Sequence, residues 1–438
     1  DTAVPYEASE KIPGCGAAMR AMGIGVVYHG EGLRDALVAV AAESAALSHH
    51  SFAGCASAVV SAAGCALARE GVRVEAWPHI IVEDLLPRLE HYLLSRPASR
   101  RPAAEEVSRQ RRRFAEPWRG GGSQMTLQHI ADPEHRDKHF AALGGGWDAL
   151  SSVYISYEAL RLADGDWEKL VHYAGAHGGD SDSTLAIAGA WFGAAYGLER
   201  TPKKQWAAVE KFAEMCEMSA ALEQIRVHLH GGVAPAAVSA PLSHAGKAAL
   251  VTAGGAPLQI TPAGDGRLAA AAGPAEARLK EPSGCVGAAL VLSAVGDSIG
   301  FRGSEWEFCE HGKKIEAAME RLGGALALVP SRETGWPVSD DTVQHLATLR
   351  AIIDAQGALP MSSRDAGALD GLMRRMAHWH VLTWADMDGR APGKRCGRGV
   401  QALSQPGARW DTAVAYEASE KPQGCGASMR AMGIGAVF

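Results

Sequence analysis

Apolar residues recur three and four positions apart along most of this 438-residue chain, and runs that alternate apolar with polar are scarce. That spacing predicts helices over Leu33–Ala46, Phe52–Arg69, Ile81–Leu94, Ser151–Ala163, Ser183–Tyr196, Trp206–His228, Cys285–Ile299, Thr342–Ala355 and Leu369–Trp384. The expected fold class is all-α. The pattern lapses between about His228 and Gly284, where Ala, Gly and Pro crowd out large apolar side chains. Such a stretch cannot bury enough surface to offset its ordering entropy, so it reads as a linker, with at most one short strand around Leu258–Thr261. Residues 1–228 and 285–438 are then the two structured parts, joined by residues 229–284.

The ends of the chain repeat each other. Asp1–Tyr28, DTAVPYEASEKIPGCGAAMRAMGIGVVY, returns as Asp411–Phe438, DTAVAYEASEKPQGCGASMRAMGIGAVF, with 22 of 28 positions identical. A long-period repeat redefines the unit being read. The six differences argue against simple copying. With no initiator Met, the chain reads as one period of a tandem array, or as a circularly permuted domain whose seam is duplicated.

Composition narrows the function classes. A formal net charge of −6 argues against bulk nucleic-acid binding. No run is read as about 18 uncharged apolar residues with membrane flanks, and no signal peptide opens the chain, so no membrane partner is expected. The eight cysteines form no CxxC pair, which leaves out a zinc ribbon or redox motif. Scattered free thiols fit a reducing compartment, hence an intracellular, cytoplasmic setting.

Two segments concentrate chemistry. Val338-Ser339-Asp340-Asp341-Thr342 precedes the amphipathic run VQHLATLRAIIDA, and Gly178-Gly179-Asp180-Ser181-Asp182-Ser183-Thr184 precedes LAIAGAWFGAAYG. Each places hydroxyls and acids at a helix start. One reading is capping, in which Ser, Thr or Asp satisfies orphan amides and complements the dipole. The other is a shared site. Four carboxylates in one place repel unless cations or protons intervene, and hard Asp and Ser oxygens suit Mg²⁺ or Mn²⁺ in a two-metal arrangement. Gly14-Cys15-Gly16 leads into a helix, where backbone amides can approach a phosphate closely or simply pack tightly. The run Arg109-Gln110-Arg111-Arg112-Arg113, flanked by Glu105, Glu106 and Glu116, reads as a solvated helix face.

GDSDST, VSDDTVQHLATLRA, AVGDSIGFRGSEWEF, DMDGRAPG and GCGAAMRAMGIG together resemble the ADP-ribosylglycohydrolase family, in its ADP-ribosylarginine hydrolase branch. The order is rotated: joining residue 438 to residue 29 restores family order, with one GCGA(A/S)MR copy redundant. The resemblance implies a compact multi-helix domain around two Mg²⁺ ions, Mn²⁺ being possible. Ser339, Asp340 and Asp341 would supply one ligand set, and Asp180, Asp182 and Ser183 the other. Asp340 and Asp341 would form the catalytic pair, the base left open between them. Gly14, Cys15 and Gly16, or their counterparts Gly424, Cys425 and Gly426, would lie against the pyrophosphate, the first copy being expected in place because it runs directly into the helix at Leu33. His49 would line the pocket or serve as a structural histidine. Asp388 would face the guanidinium of the leaving arginine or join a salt bridge. The partners implied are an ADP-ribosylated protein and ADP-ribose, with adjacent repeats of the same parent chain possible. A catalytically silent ADP-ribose-binding or structural module is the alternative.

Overall fold

The computed structural model describes residues 14–119, 125–231, 282 and 284–417. Gly424, Cys425, Gly426 and the strand considered at Leu258–Thr261 lie outside the described residues. Among the described residues the regular structure is helical, with one isolated antiparallel bridge between Gly14 and Asp148. The helices that build the core and the site are, in chain order, α1 (Met22–Val27), α2 (Arg34–Ala46), α3 (Phe52–Arg69), α4 (Ala149–Ala163), α5 (Ser181–Tyr196), α6 (Phe212–Leu229), α7 (Gly284–Phe301), α8 (Asp340–Asp354), α9 (Ala366–Thr383) and α10 (Lys394–Leu403).

The two parts of the chain meet through α5 and α7, which pack antiparallel along their whole length. Small residues permit it. A Cβ on Gly193 would stand 2.4 Å from the Ala288 carbonyl oxygen, and one on Gly300 would stand 2.4 Å from that of Ser181. Backbone therefore lies on backbone, and the start of α5 is held against the end of α7. Both helices are buried on nearly every face, which is why their apolar pattern runs almost unbroken.

Two helices, Phe52–Arg69 and the one spanning Gly284–Ser304, are long and apolar enough to cross a bilayer by composition alone. That corrects the expectation that no run approaches this length. Each is 89% buried inside the body, as a core helix is.

The predicted helix Trp206–His228 is two pieces, Lys203–Trp206 and α6. Lys211, at φ 64°, breaks the run in a left-handed conformation that periodicity does not register. The Arg-rich run lies on the helix Ala104–Ala115, where Arg109 pairs with Glu106 and Arg111 with Glu90. The first copy of the duplicated segment is seated: every residue of α1 is buried, and the Gly23 amide donates to His345 of α8 at 3.0 Å. Residues 411–417 of the second copy dock beside it, with the Glu417 amide on the His50 carbonyl at 2.8 Å.

Candidate metal centre

The Asp180–Ser183 turn is fixed from below by its neighbours. The Thr184 hydroxyl donates to the Ala174 carbonyl at 2.8 Å and sits 2.8 Å from the His177 ring, while the Ser181 hydroxyl donates to the Gly300 carbonyl at 3.0 Å. The Asp180 amide donates to the Gly145 carbonyl at 2.8 Å. Asp180 stands at the N-cap position, yet its side chain caps nothing. Asp182 accepts from the Ser183 amide at 2.8 Å.

The second turn is held by a residue to which sequence reasoning gave no role. Asp297, near the end of α7, accepts the Ser339 amide at 3.0 Å, the Thr342 amide at 3.0 Å and the Thr342 hydroxyl. Ser339 is the true N-cap of α8, accepting from the Asp341 amide at 3.1 Å. The capping reading thus holds for Ser339 and leaves the Asp340 and Asp341 carboxylates for other work. A second clamp lies behind. The buried Arg390 pairs with Glu210 at 2.8 Å and donates to the Val338 carbonyl at 2.6 Å, while the Asp340 amide donates to the Arg390 carbonyl at 3.1 Å.

These clamps bring both acid clusters into one buried site. Asp182 is within hydrogen-bonding reach of Ser339 and acts electrostatically on Asp340 and Asp341. Glu307, also unassigned from sequence, joins them: ligand oxygens of Asp180, Asp182 and Glu307 all lie within 4.8 Å of one another. Burial, and after it Asp182, drives the Asp180, Asp340 and Asp341 carboxyls well above the usual carboxylate range. Burial also raises Asp182. The same two causes push Asp297 up to about 7 and Glu307 far above its ordinary value. Protonation relieves this crowding of like charges, and a bound cation would serve instead. Asp180 Oδ2, Asp341 Oδ2 and Glu307 Oε2 are buried without a hydrogen-bond partner. Orphan carboxylate oxygens in an all-oxygen donor set fit a hard divalent cation.

The flanking residues divide. Ser183 is at the site and donates to Cys15 Sγ at 3.4 Å. The Gly14–Gly16 turn is beside it, with the Cys15 amide donating to the Trp147 carbonyl at 3.3 Å, so that amide is already engaged in the fold. His49 packs on this turn, its Nε2 3.6 Å from where a Gly14 Cβ would be. Burial, then Arg20, Arg395 and Arg398, holds the His49 ring well below its usual pKa, and Nδ1 lies 2.8 Å from the Ser48 hydroxyl. Asp388 is exposed. Asp386, two residues earlier, makes the salt bridges of that loop, to Lys211 at 2.8 Å and Arg390 at 3.1 Å.

The ADP-ribosylglycohydrolase family model matches residues 2–231 and 284–438, skipping only the stretch between the two packed parts. The chain belongs to the ADP-ribosylglycohydrolase family. It is similar to ADP-ribosylhydrolase ARH1 of Dictyostelium discoideum, at 26% identity over 230 residues, covering 46% of this chain and 58% of that protein. It is also similar to ADP-ribosylhydrolase ARH3 of Bos taurus, at 28% identity over 222 residues, covering 48% and 58%. The matched part of the chain spans little more than half the length of these ADP-ribosylglycohydrolase relatives. The all-α architecture agrees with family membership.

Proposed function

We propose that this site hydrolyses the N-glycosidic bond of ADP-ribosyl-arginine on modified proteins and releases ADP-ribose. The observation that carries the reading is the set of buried carboxylates with three orphan oxygens, a costly arrangement that capping does not require. Asp180, Asp182, Ser183, Ser339, Asp340 and Asp341, with Glu307 added from the geometry, would hold two divalent cations, Mg²⁺ or Mn²⁺. When bound, such ions orient vicinal ribose hydroxyls and make a bound water more acidic.

The residues of the chain do the rest. Either Asp340 or Asp341 takes the proton of the attacking water as the glycosidic bond opens toward an oxocarbenium-like state. Asp297 and Arg390 keep the α8 turn that carries both acids in register with α5. The pyrophosphate would approach the Cys15–Ala17 turn, meeting the amides that follow Cys15 because the Cys15 amide is engaged. The ARH1 name supports an ADP-ribosyl linkage as the target, and the matching DMDGRAPG loop motivates the choice of arginine.

The test is release of ADP-ribose from ADP-ribosyl-arginine by the full chain, with Mg²⁺ and after EDTA. Metal-dependent release supports the reading. Binding of ADP-ribose with no release in Mg²⁺ would instead establish the silent module.

A further inference from the structure

The duplicated segment occupies the molecule in two halves. Residues 14–28 of the first copy fill the groove between α3 and α8, whereas residues 411–417 of the second copy dock on His50, with the Val414 carbonyl 2.8 Å from its ring and Glu417 paired to Arg395 at 2.8 Å. In sequence order the second copy then continues through six residues, 418–423, to Gly424, the counterpart of Gly14. The docked segment ends one residue from the His49 side chain that packs on Gly14. Seven steps of extended chain reach up to about 25 Å, well beyond that gap.

We propose that the groove accepts either copy, so that residues 424–438 of the same chain take the place of residues 14–28 when the first copy is withdrawn. The glycines that the groove constrains most tightly, and the buried Arg20, do not differ. A Cβ on Gly25 would stand 1.6 Å from the Ala62 carbonyl oxygen, and one on Gly16 would stand 2.6 Å from Cys396 Sγ. Arg20 is buried, donating to the Gly16 carbonyl at 2.9 Å, the Ser44 carbonyl at 2.7 Å and the Ser48 hydroxyl at 2.8 Å. The second copy keeps all of them, as Gly435, Gly426 and Arg430.

Three positions differ within this stretch. Tyr28 is buried with its hydroxyl unpartnered, and the second copy has Phe438, which lacks that group. Val26 becomes Ala436, which is smaller, and Ala18 becomes Ser428, which adds a hydroxyl where Ala18 is fully buried. Lost methyl contacts and one added polar atom make the second copy the weaker occupant, consistent with the first being seated. The two copies thus form a built-in exchange: one groove with a resident and a spare on the same chain.

Hydrogen–deuterium exchange read by mass spectrometry tests this, because the three substitutions give the two copies peptides of different mass. In the parent, amides of residues 14–28 should exchange more slowly than those of 424–438, because the first copy holds the groove. Gly25→Val places side-chain atoms on the Ala62 backbone and unseats the first copy. The expected result is that slow exchange moves to residues 424–438, while the chain keeps one cooperative melt a few degrees lower. Gly435→Val alone should leave the parent pattern, and the double variant should protect neither copy and melt below both. The proposal is overturned if Gly25→Val leaves residues 424–438 unprotected, or if it melts together with the double variant.

Discussion

Replacing Asp297 with Ala should unfasten the start of α8. Asp297 accepts two backbone amides and one hydroxyl, all buried, from Ser339 and Thr342. Each buried donor left unsatisfied costs about 1–3 kcal/mol, so the three together cost roughly 3–9 kcal/mol. Part of this is offset because the substitution removes one of several crowded carboxylates. Burial and Asp182 hold Asp297 at about 7, so near neutrality only part of that charge is present. The net expectation is a loss of about 2–4 kcal/mol for Asp297→Ala. Asp297→Asn keeps an acceptor oxygen and the side-chain volume, and should lose only about 1 kcal/mol. Urea denaturation followed by helical circular dichroism in EDTA, extrapolated linearly, measures both. The Ala variant should also bind Mg²⁺ more weakly than the Asn variant, because Asp340 and Asp341 ride on the turn that Asp297 fixes. If Asp297→Ala unfolds within about 0.5 kcal/mol of the parent, these hydrogen bonds do not hold the site together.

Asp182→Asn and Asp341→Asn should each lower ADP-ribose release by about 100-fold or more with helical content unchanged; parent-like rates would reduce both acids to helix-start ornaments. In EDTA the melting temperature should fall as pH rises. Asp297 is raised from 3.8 to about 7, so its contribution to stability is complete below pH 3.8 and is lost as pH climbs through about 7. Saturating Mg²⁺ should remove that decline, and a melting temperature that rises with pH in EDTA would contradict the assignment. Arg390→Ala removes the buried partner of Glu210, which keeps its pair with Arg332 at 2.9 Å and the Val338 amide at 3.1 Å, and should cost about 1.5–3 kcal/mol, with Glu210→Ala added in the same chain restoring part of the loss; additive losses in a double-mutant cycle would show that the pair is not coupled.

Helical periodicity reveals most of the core because α3, α5 and α8 carry long apolar faces, and their predicted ranges differ from the observed ones by a few residues at most. The break at Lys211 escapes that reading, since a single left-handed residue leaves the apolar spacing on both sides intact. The two acid turns are legible as a pair only because like charges at two helix starts need a common explanation. Asp297 and Glu307 are visible in the same sequence yet carry no spacing signal. Asp297 is a single acid inside the otherwise uncharged α7, and a lone charge in a buried apolar helix is itself a mark of function. Glu307 stands between Trp306 and Phe308, where an acid has reason to be only if the fold turns it inward toward other acids. Asp388 is the converse case: a motif match draws attention to it, while the structure engages Asp386 and leaves Asp388 exposed.

The central claim is that the buried carboxylates form a divalent-cation site held protonated when metal-free, and calorimetric titration of EDTA-stripped protein with Mg²⁺ near neutral pH tests it directly. Run in two buffers of different ionisation enthalpy, the titration reports both the stoichiometry and the protons exchanged. The account predicts two ions per chain, released protons, and binding that is lost in Asp180→Asn and weakened in Asp341→Asn. Absence of Mg²⁺ binding, or binding with no proton release and no dependence on Asp180 or Asp341, would contradict it.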